Sequence, residues 1–151
     1  MCPPVASPGT NPRGGPSFVN ILLLMVWANL SHVTDQHVTT LTLLAEARGE
    51  GVSGMEAVAA VIHRRMERRG LTAAQVCLEP KQFSCWNSGR SLEYLWRSPV
   101  VEAAKEVASR VHEGKKLVAD HYCTLKVTPY WSQKQRPVAI IGNHKFYLLN
   151  R

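Results

Sequence analysis

The segment Ala45-Glu46-Ala47-Arg48-Gly49-Glu50 sets two glutamates four residues apart. On a continuing helix they would share one face. Gly49 is expected to end the helix between them, leaving Glu46 on the last turn at the wall of a cleft. General acid catalysis needs a carboxyl group that stays protonated near neutral pH. Partial burial against apolar or aromatic side chains moves a carboxyl toward that range. Phe83, Trp86, Tyr122, Trp131 and Tyr147 are the aromatics available for such a wall. The plainer reading is an ordinary surface charge, or an ion pair with Arg48, and the pattern alone favours that one.

Other polar residues are candidates for a supporting part. The only aspartates are Asp35 and Asp120. Asp120 precedes a tyrosine-bearing strand and, with Glu50, is a candidate second carboxylate; the other reading of Glu50 is a loop-structural one, fixed beside Gly49 and Gly51. Gln82 and Ser84 flank Phe83 and suit either the N-acetyl groups of a sugar or capping of their own loop. Tyr122 suits stacking on a sugar, steadying a developing charge, or packing with its hydroxyl at the rim. His121 and His144 lack a third ligand at fixed spacing, so no metal is expected, and His144 reads better as a buried, hydrogen-bonded side chain. Cysteines at 2, 77, 85 and 123 form no CxxC pair. Cys77 and Cys85 fit a disulfide across the Pro80 loop or two small buried thiols. No cofactor is implied.

These residues must be positioned by a small set of elements. Gln36–Arg48 carries Val38, Leu41, Leu44 and Ala45 on one helical stripe. Ser53 with Glu56 reads as a capping box opening a second helix, with Met55, Val58, Ala59, Ile62 and Met66 inward and Gly70 as its stop. Thr72 with Gln75 opens a short helix ending near Leu78. A loop, 79–90, leads to a short helical piece from Ser91 to Arg97. Ser98-Pro99 starts a helix bearing Val100, Ala103, Ala104, Val107, Ala108 and Val111, which Gly114 ends. Leu117–Leu125 and Val138–Leu149 read as strands. The fold class expected is a mostly helical α+β domain with a small antiparallel sheet near the C-terminus.

Charge and composition set the outer limits. The 151 residues carry 18 basic and 11 acidic side chains, a net charge of +7. From residue 35 onward lie 17 of the basic residues and all the acidic ones, so the basicity belongs to that part. Residues 1–17 are rich in Pro and Gly and are expected to be disordered. The apolar run 18–30 is shorter than the roughly 20 residues a spanning helix needs. It fits a secretory signal core, a core helix, or an extension ahead of a true start at Met25. Two parts are therefore expected, 1–34 and a catalytic domain over 35–151. A large multidomain machine and a polytopic membrane protein are excluded.

Four motifs in order carry a resemblance. LLAEARGEGVSGMEAVAAVIHRRM, PKQFSCWN at 80–87, HYCTLKVTPYW at 121–131 and IIGNHKFY at 140–147 resemble the cell-wall hydrolase family typified by the spore cortex-lytic enzymes SleB and CwlJ. The Cys-Trp form of the second motif looks most like phage and proteobacterial members. The resemblance covers 41–147. It implies a compact lysozyme-like catalytic fold and cleavage of peptidoglycan glycan strands, in the spore members by lytic transglycosylation. It also implies that the first Glu of the EARGE segment, Glu46 here, is the essential acid. Gln82, Phe83, Ser84, Trp86 and His144 then become expected substrate-binding residues, with Glu50, Asp120 and Tyr122 in support. Arg64 departs from the pattern, standing where the family usually has Asn.

Three function classes follow: a lytic transglycosylase, a muramidase or glucosaminidase using a second carboxylate, and a non-catalytic basic module for wall or nucleic acid. The third would use the Arg64, Arg65, Arg68 and Arg69 cluster with Lys115-Lys116. No nucleic-acid motif is present, so nucleic acid is not expected as a partner. The expected partner is anionic peptidoglycan, met by a monomer outside the cytoplasm, in the periplasm or wall, or on phage-induced lysis.

Overall fold

The computed structural model describes residues 18–113 and 116–149. The expectation of disorder at 1–17 falls outside the described residues. The chain divides into two units, Met1–His32 and Val33–Arg151. No helix among the described residues is long and apolar enough to cross a membrane.

Among the described residues there are four α-helices and three strands: α1 Phe18–Ala47, α2 Gly51–Arg69, α3 Ala73–Leu78, α4 Val101–Ser109, β1 His121–Thr124, β2 Ala139–Ile141 and β3 His144–Tyr147. The fold class is the mostly helical α+β one expected. The C-terminal part of α1 is more buried than its apolar stripe suggests. Leu43, Leu44, Thr39, Thr40 and Thr42 are all sealed from solvent. Thr42 and Thr40 fit there because their hydroxyls bond back to the previous turn, Thr42 to the Val38 carbonyl at 2.8 Å and Thr40 to that of Gln36 at 2.7 Å. Helix α2 is the central element. Ala57 through Ile62 are buried around its whole circumference, and their small size lets neighbouring backbones approach.

The helix starts hold one confirmation and three corrections, since α1 runs back past Gln36 to Phe18, α4 begins at Val101 and not at Pro99, and α2 opens before Ser53. Thr72 and Gln75 form both bonds of the expected capping box. Ser53 does not cap α2, which begins two residues earlier at Gly51, after a 3-10 turn over Arg48–Glu50. Gly51 sits at φ 69° and ψ −163°, a region essentially reserved for glycine. The chain therefore turns there and resumes as helix at once, leaving Ser53 inside the first turn. α2 ends at Gly70, whose N–H reaches the Met66 carbonyl. α4 stops at Ser109, short of Gly114, because tighter turns follow at Val111 and Glu113.

Both expected strands were too long. Leu117–Leu125 yields only β1. Val138–Leu149 breaks into β2 and β3 about a two-residue turn, Gly142-Asn143. Gly142 has φ 55°, which two-residue hairpin turns require at a central position. The sheet order is β1-β3-β2, antiparallel throughout. Tyr122 pairs with Phe146 and Thr124 with His144, while Ala139 and Ile141 pair with the same two residues from the other side. Tyr122, His144 and Phe146 thus share one sheet face. Phe146 is wholly buried in the core.

Candidate active site

Glu46 lies on the last turn of α1, as its spacing suggests, and is half-buried. Two elements meet its carboxylate. From β1, the Tyr122 hydroxyl donates to Oε2 at 2.8 Å. From the 3-10 turn Ser84–Trp86, the Cys85 N–H donates to Oε1 at 3.4 Å and the Ser84 hydroxyl to the same oxygen at 3.5 Å. The short Tyr122 bond is the strongest of the three.

Aromatic packing fixes the tyrosine. Its ring stacks on Phe146 at 5.6 Å, meets His144 edge-on at 5.3 Å and tilts against Phe83 at 6.3 Å. Burial, reinforced by the Glu46 charge, pushes the Tyr122 hydroxyl well above the usual phenol range. It remains a donor under all ordinary conditions. Cys85 is driven upward by the same two causes, burial first, so its thiol stays neutral.

The turn carrying Ser84 is itself pinned. Trp86 donates its indole N–H to Thr42 Oγ1 at 2.9 Å, one helical turn ahead of Glu46. Phe83 is 1% exposed and lies under the Arg65 guanidinium at 5.3 Å. At the loop's tip Lys81 adopts φ 65° and donates its N–H to Asn87. Gln82 is half-buried, and its N–H bonds to the Glu79 carbonyl.

Glu50 is elsewhere. Its carboxylate accepts from the Asn143 N–H at 3.1 Å and pairs with His144 Nδ1 at 2.7 Å. Both side chains are over nine-tenths buried. Two glycines make room for it. A Cβ on Gly54 would sit 2.5 Å from Glu50 Cβ, and one on Gly142 would sit 2.8 Å from Glu50 Cγ. Glu50 thus fastens the α1–α2 junction to the β2–β3 turn.

Asp120 is also committed. At 2% exposed, it accepts from the Leu149 N–H and bonds His121 Nδ1, both at 2.9 Å, and meets Arg68 Nη1 at 3.4 Å. Trp131 and Tyr147 pair edge-on with each other, and Trp131 packs on His121. They therefore do not wall Glu46 as expected; Tyr122, backed by Phe83, does. Cys77 and Cys85 are free thiols, so of the two readings the unbridged one holds. Arg64 reaches Glu67 at 3.7 Å. No metal-ligating cluster exists among the described residues.

Sequence reasoning missed Thr42 and the Cys85 backbone amide. Thr42 had a usable signal, a polar residue at i−4 from Glu46 inside an apolar helix. A backbone donor has no signature in residue type.

Residues 49–147 match the model of the family described as Cell Wall Hydrolase. That stretch begins three residues after Glu46. The crystal structure of the catalytic domain of the Bacillus cereus SleB protein is similar, with a TM-score of 0.60 and 26% identity. The likeness covers 76% of this chain and 89% of that one. No curated protein matches the chain.

Proposed function

Since the chain belongs to the cell wall hydrolase family, in its SleB-like branch, we propose that it cleaves the glycan strands of peptidoglycan as a lytic transglycosylase. Glu46 is the acid and base. It protonates the oxygen linking N-acetylmuramic acid to N-acetylglucosamine as the muramic ring becomes oxocarbenium-like. The resulting carboxylate takes the proton of the muramic C6 hydroxyl, whose oxygen closes onto C1 as a 1,6-anhydro ring. The proton lost in the first step is regained in the second. Tyr122 orients the carboxyl and donates to it while it is ionised, and Ser84 and the Cys85 N–H help hold Oε1. Gln82 and Trp86 lie on the same loop and are assigned to sugar contact. Phe83 and His144 hold the site from behind. The enzyme acts on the wall outside the cytoplasm.

One observation carries this reading. The other two candidate carboxylates are both held by partners of their own: Glu50 by His144 and Asn143, Asp120 by His121, Arg68 and Leu149. Hydrolysis by inversion uses a second carboxylate at roughly 6.5–9.5 Å and by retention at about 5–5.5 Å. An intramolecular C6 hydroxyl needs neither.

The test is digestion of purified peptidoglycan by wild type and Glu46→Gln, with mass spectrometry of the released muropeptides. Anhydro products from wild type alone are expected. Reducing ends without anhydro sugar would move the assignment to hydrolysis. Undiminished activity in Glu46→Gln would remove Glu46 from the chemistry.

A further inference from the structure

A cavity of about 160 Å³ opens between the C-terminal end of α2 and the start of β1, lined by Arg65, Arg68, Arg69, Asp120 and His121. It is distinct from the Glu46 site. Successive strand residues point to opposite faces, so His121 turns to the cavity while Tyr122 turns to Glu46.

The charges around it leave one cation over. Arg68 meets Asp120, and Arg69 meets Glu79. Arg65 forms no ion pair among the described residues. It is only 9% exposed; its Nε donates to the Asp120 carbonyl at 3.0 Å, and its Nη1 is buried with no hydrogen-bond partner. Buried polar donors normally find an acceptor. Burial pulls the Arg65 guanidinium below its ordinary range and Arg69 adds to that pull, while Tyr122 and Asp120 act the other way. A bound anion would reverse that pull. Guanidinium forks match planar carboxylates in particular.

The 79–86 loop joins this cavity to Glu46. Glu79 pairs with Arg69 at one end, and Ser84 and Cys85 face Glu46 at the other. Five residues span at most about 18 Å when extended. A peptide of four or so residues, of the kind carried on muramic acid with free carboxylates, has comparable reach. We propose that the Arg65–Arg68–Arg69–His121 cavity binds a carboxylate of the peptide stem borne by the glycan being cut. The proposal rests on the peptidoglycan reading above, and it makes the enzyme selective for stem-bearing strands.

Two measurements test it. A synthetic stem tetrapeptide, its fully amidated form and inorganic phosphate are titrated into wild type and into Arg68→Gln/Arg69→Gln, followed by the His121 imidazole NMR signal. The free tetrapeptide is expected to shift the signal saturably, the amidated form not, and the double variant to bind about tenfold more weakly. In parallel, intact peptidoglycan is compared with peptidoglycan stripped of stems by an amidase. Wild type should lose efficiency on the stripped strands, and the double variant should lose about tenfold on intact strands only, in KM rather than kcat. Equal binding of the amidated peptide, phosphate binding as tight as the tetrapeptide, or no saturable shift would each overturn the proposal. So would equal cleavage of both walls by wild type. If neither wall is cut, the peptidoglycan reading fails instead, and the wild-type titrations still decide the cavity.

Discussion

Glu46 and Glu50 stand four residues apart in one motif, yet the structure gives them different partners, and isosteric amides separate the two proposed roles. In Glu50→Gln the side chain keeps its shape and still accepts the Asn143 N–H. It puts an amide NH2 where a carboxylate oxygen meets His144 Nδ1 at 2.7 Å, and both side chains there are over 90% buried. Removing one partner of a buried pair costs about 3–5 kcal/mol. The retained bond reduces this to about 2–3 kcal/mol, the value of a charge-assisted hydrogen bond. For a domain of this size that lowers the melting temperature by about 10 °C. Well below that temperature, cleavage should stay within about fivefold of wild type. Glu46→Gln should behave oppositely. Glu46 is half-buried, with one short bond and two long ones, so melting should shift by less than about 3 °C. Cleavage should fall by roughly 10²–10⁴-fold, the usual worth of general acid–base catalysis. The assays are thermal unfolding by circular dichroism and muropeptide release. A Glu50→Gln variant that melts like wild type but is as inactive as Glu46→Gln would refute the reasoning. It would make Glu50 a reacting carboxylate and restore a two-carboxylate hydrolysis.

Two further outcomes follow from the same geometry. Thr42→Val removes the acceptor for the Trp86 indole N–H; freeing the Ser84–Trp86 turn should cost about 1–3 kcal/mol of stability and lower kcat/KM without changing the product. Unchanged kinetics would detach that turn from the site. Burial pushes the Cys77 thiol from an ordinary 9.0 up to about 12, and Cys85 moves the same way. A raised acid contributes stability that is whole below the unfolded value and lost as pH rises through the folded one. Urea midpoints should therefore decline above about pH 9, with Cys77→Ala flattening the decline. At pH 8, iodoacetamide should label both thiols far more slowly in the folded protein than in urea. Rapid labelling of folded Cys85 would contradict its placement against Glu46.

Much of the frame was legible because period and caps are local. The Met55, Val58, Ala59, Ile62 stripe is buried as read, and the Thr72–Gln75 box forms both its bonds. Where the reading failed, a backbone conformation decided the matter. Ser53 looked like a cap, but Gly51 lets α2 begin earlier, and nothing in the residue types announces φ 69° there. The long C-terminal strand was split by Gly142, whose role depends on a close approach by Glu50 from ninety-two residues earlier in the chain. At the site, the position of Glu46 was readable from its helix end. Of its donors, Tyr122 and Ser84 were among the candidates, although Tyr122 arrives from 76 residues away, and the main-chain amide of Cys85 was not, since residue type carries no sign of it.

The division of labour between the glutamates has a structural cause in the turn that separates them. A continuous helix would have kept both carboxylates on one face, close enough to share a substrate. Instead α1 ends at Ala47, three residues of 3-10 turn follow, and Gly51 redirects the chain into α2. Glu46 stays with the 83–86 loop and β1, and Glu50 swings to the β2–β3 turn, where Gly54 and Gly142 leave space that any Cβ would fill. His144 joins the two arrangements: its Nδ1 holds Glu50 while its ring supports Tyr122, the donor to Glu46. Under the proposed mechanism Glu50 acts through position. A loss of the Glu50–His144 pair should loosen Tyr122 before it touches Glu46, so Glu50→Gln should weaken transition-state stabilisation modestly while leaving the anhydro product unchanged. A switch to reducing-end products in that variant would mean that water, not the C6 hydroxyl, had gained the site.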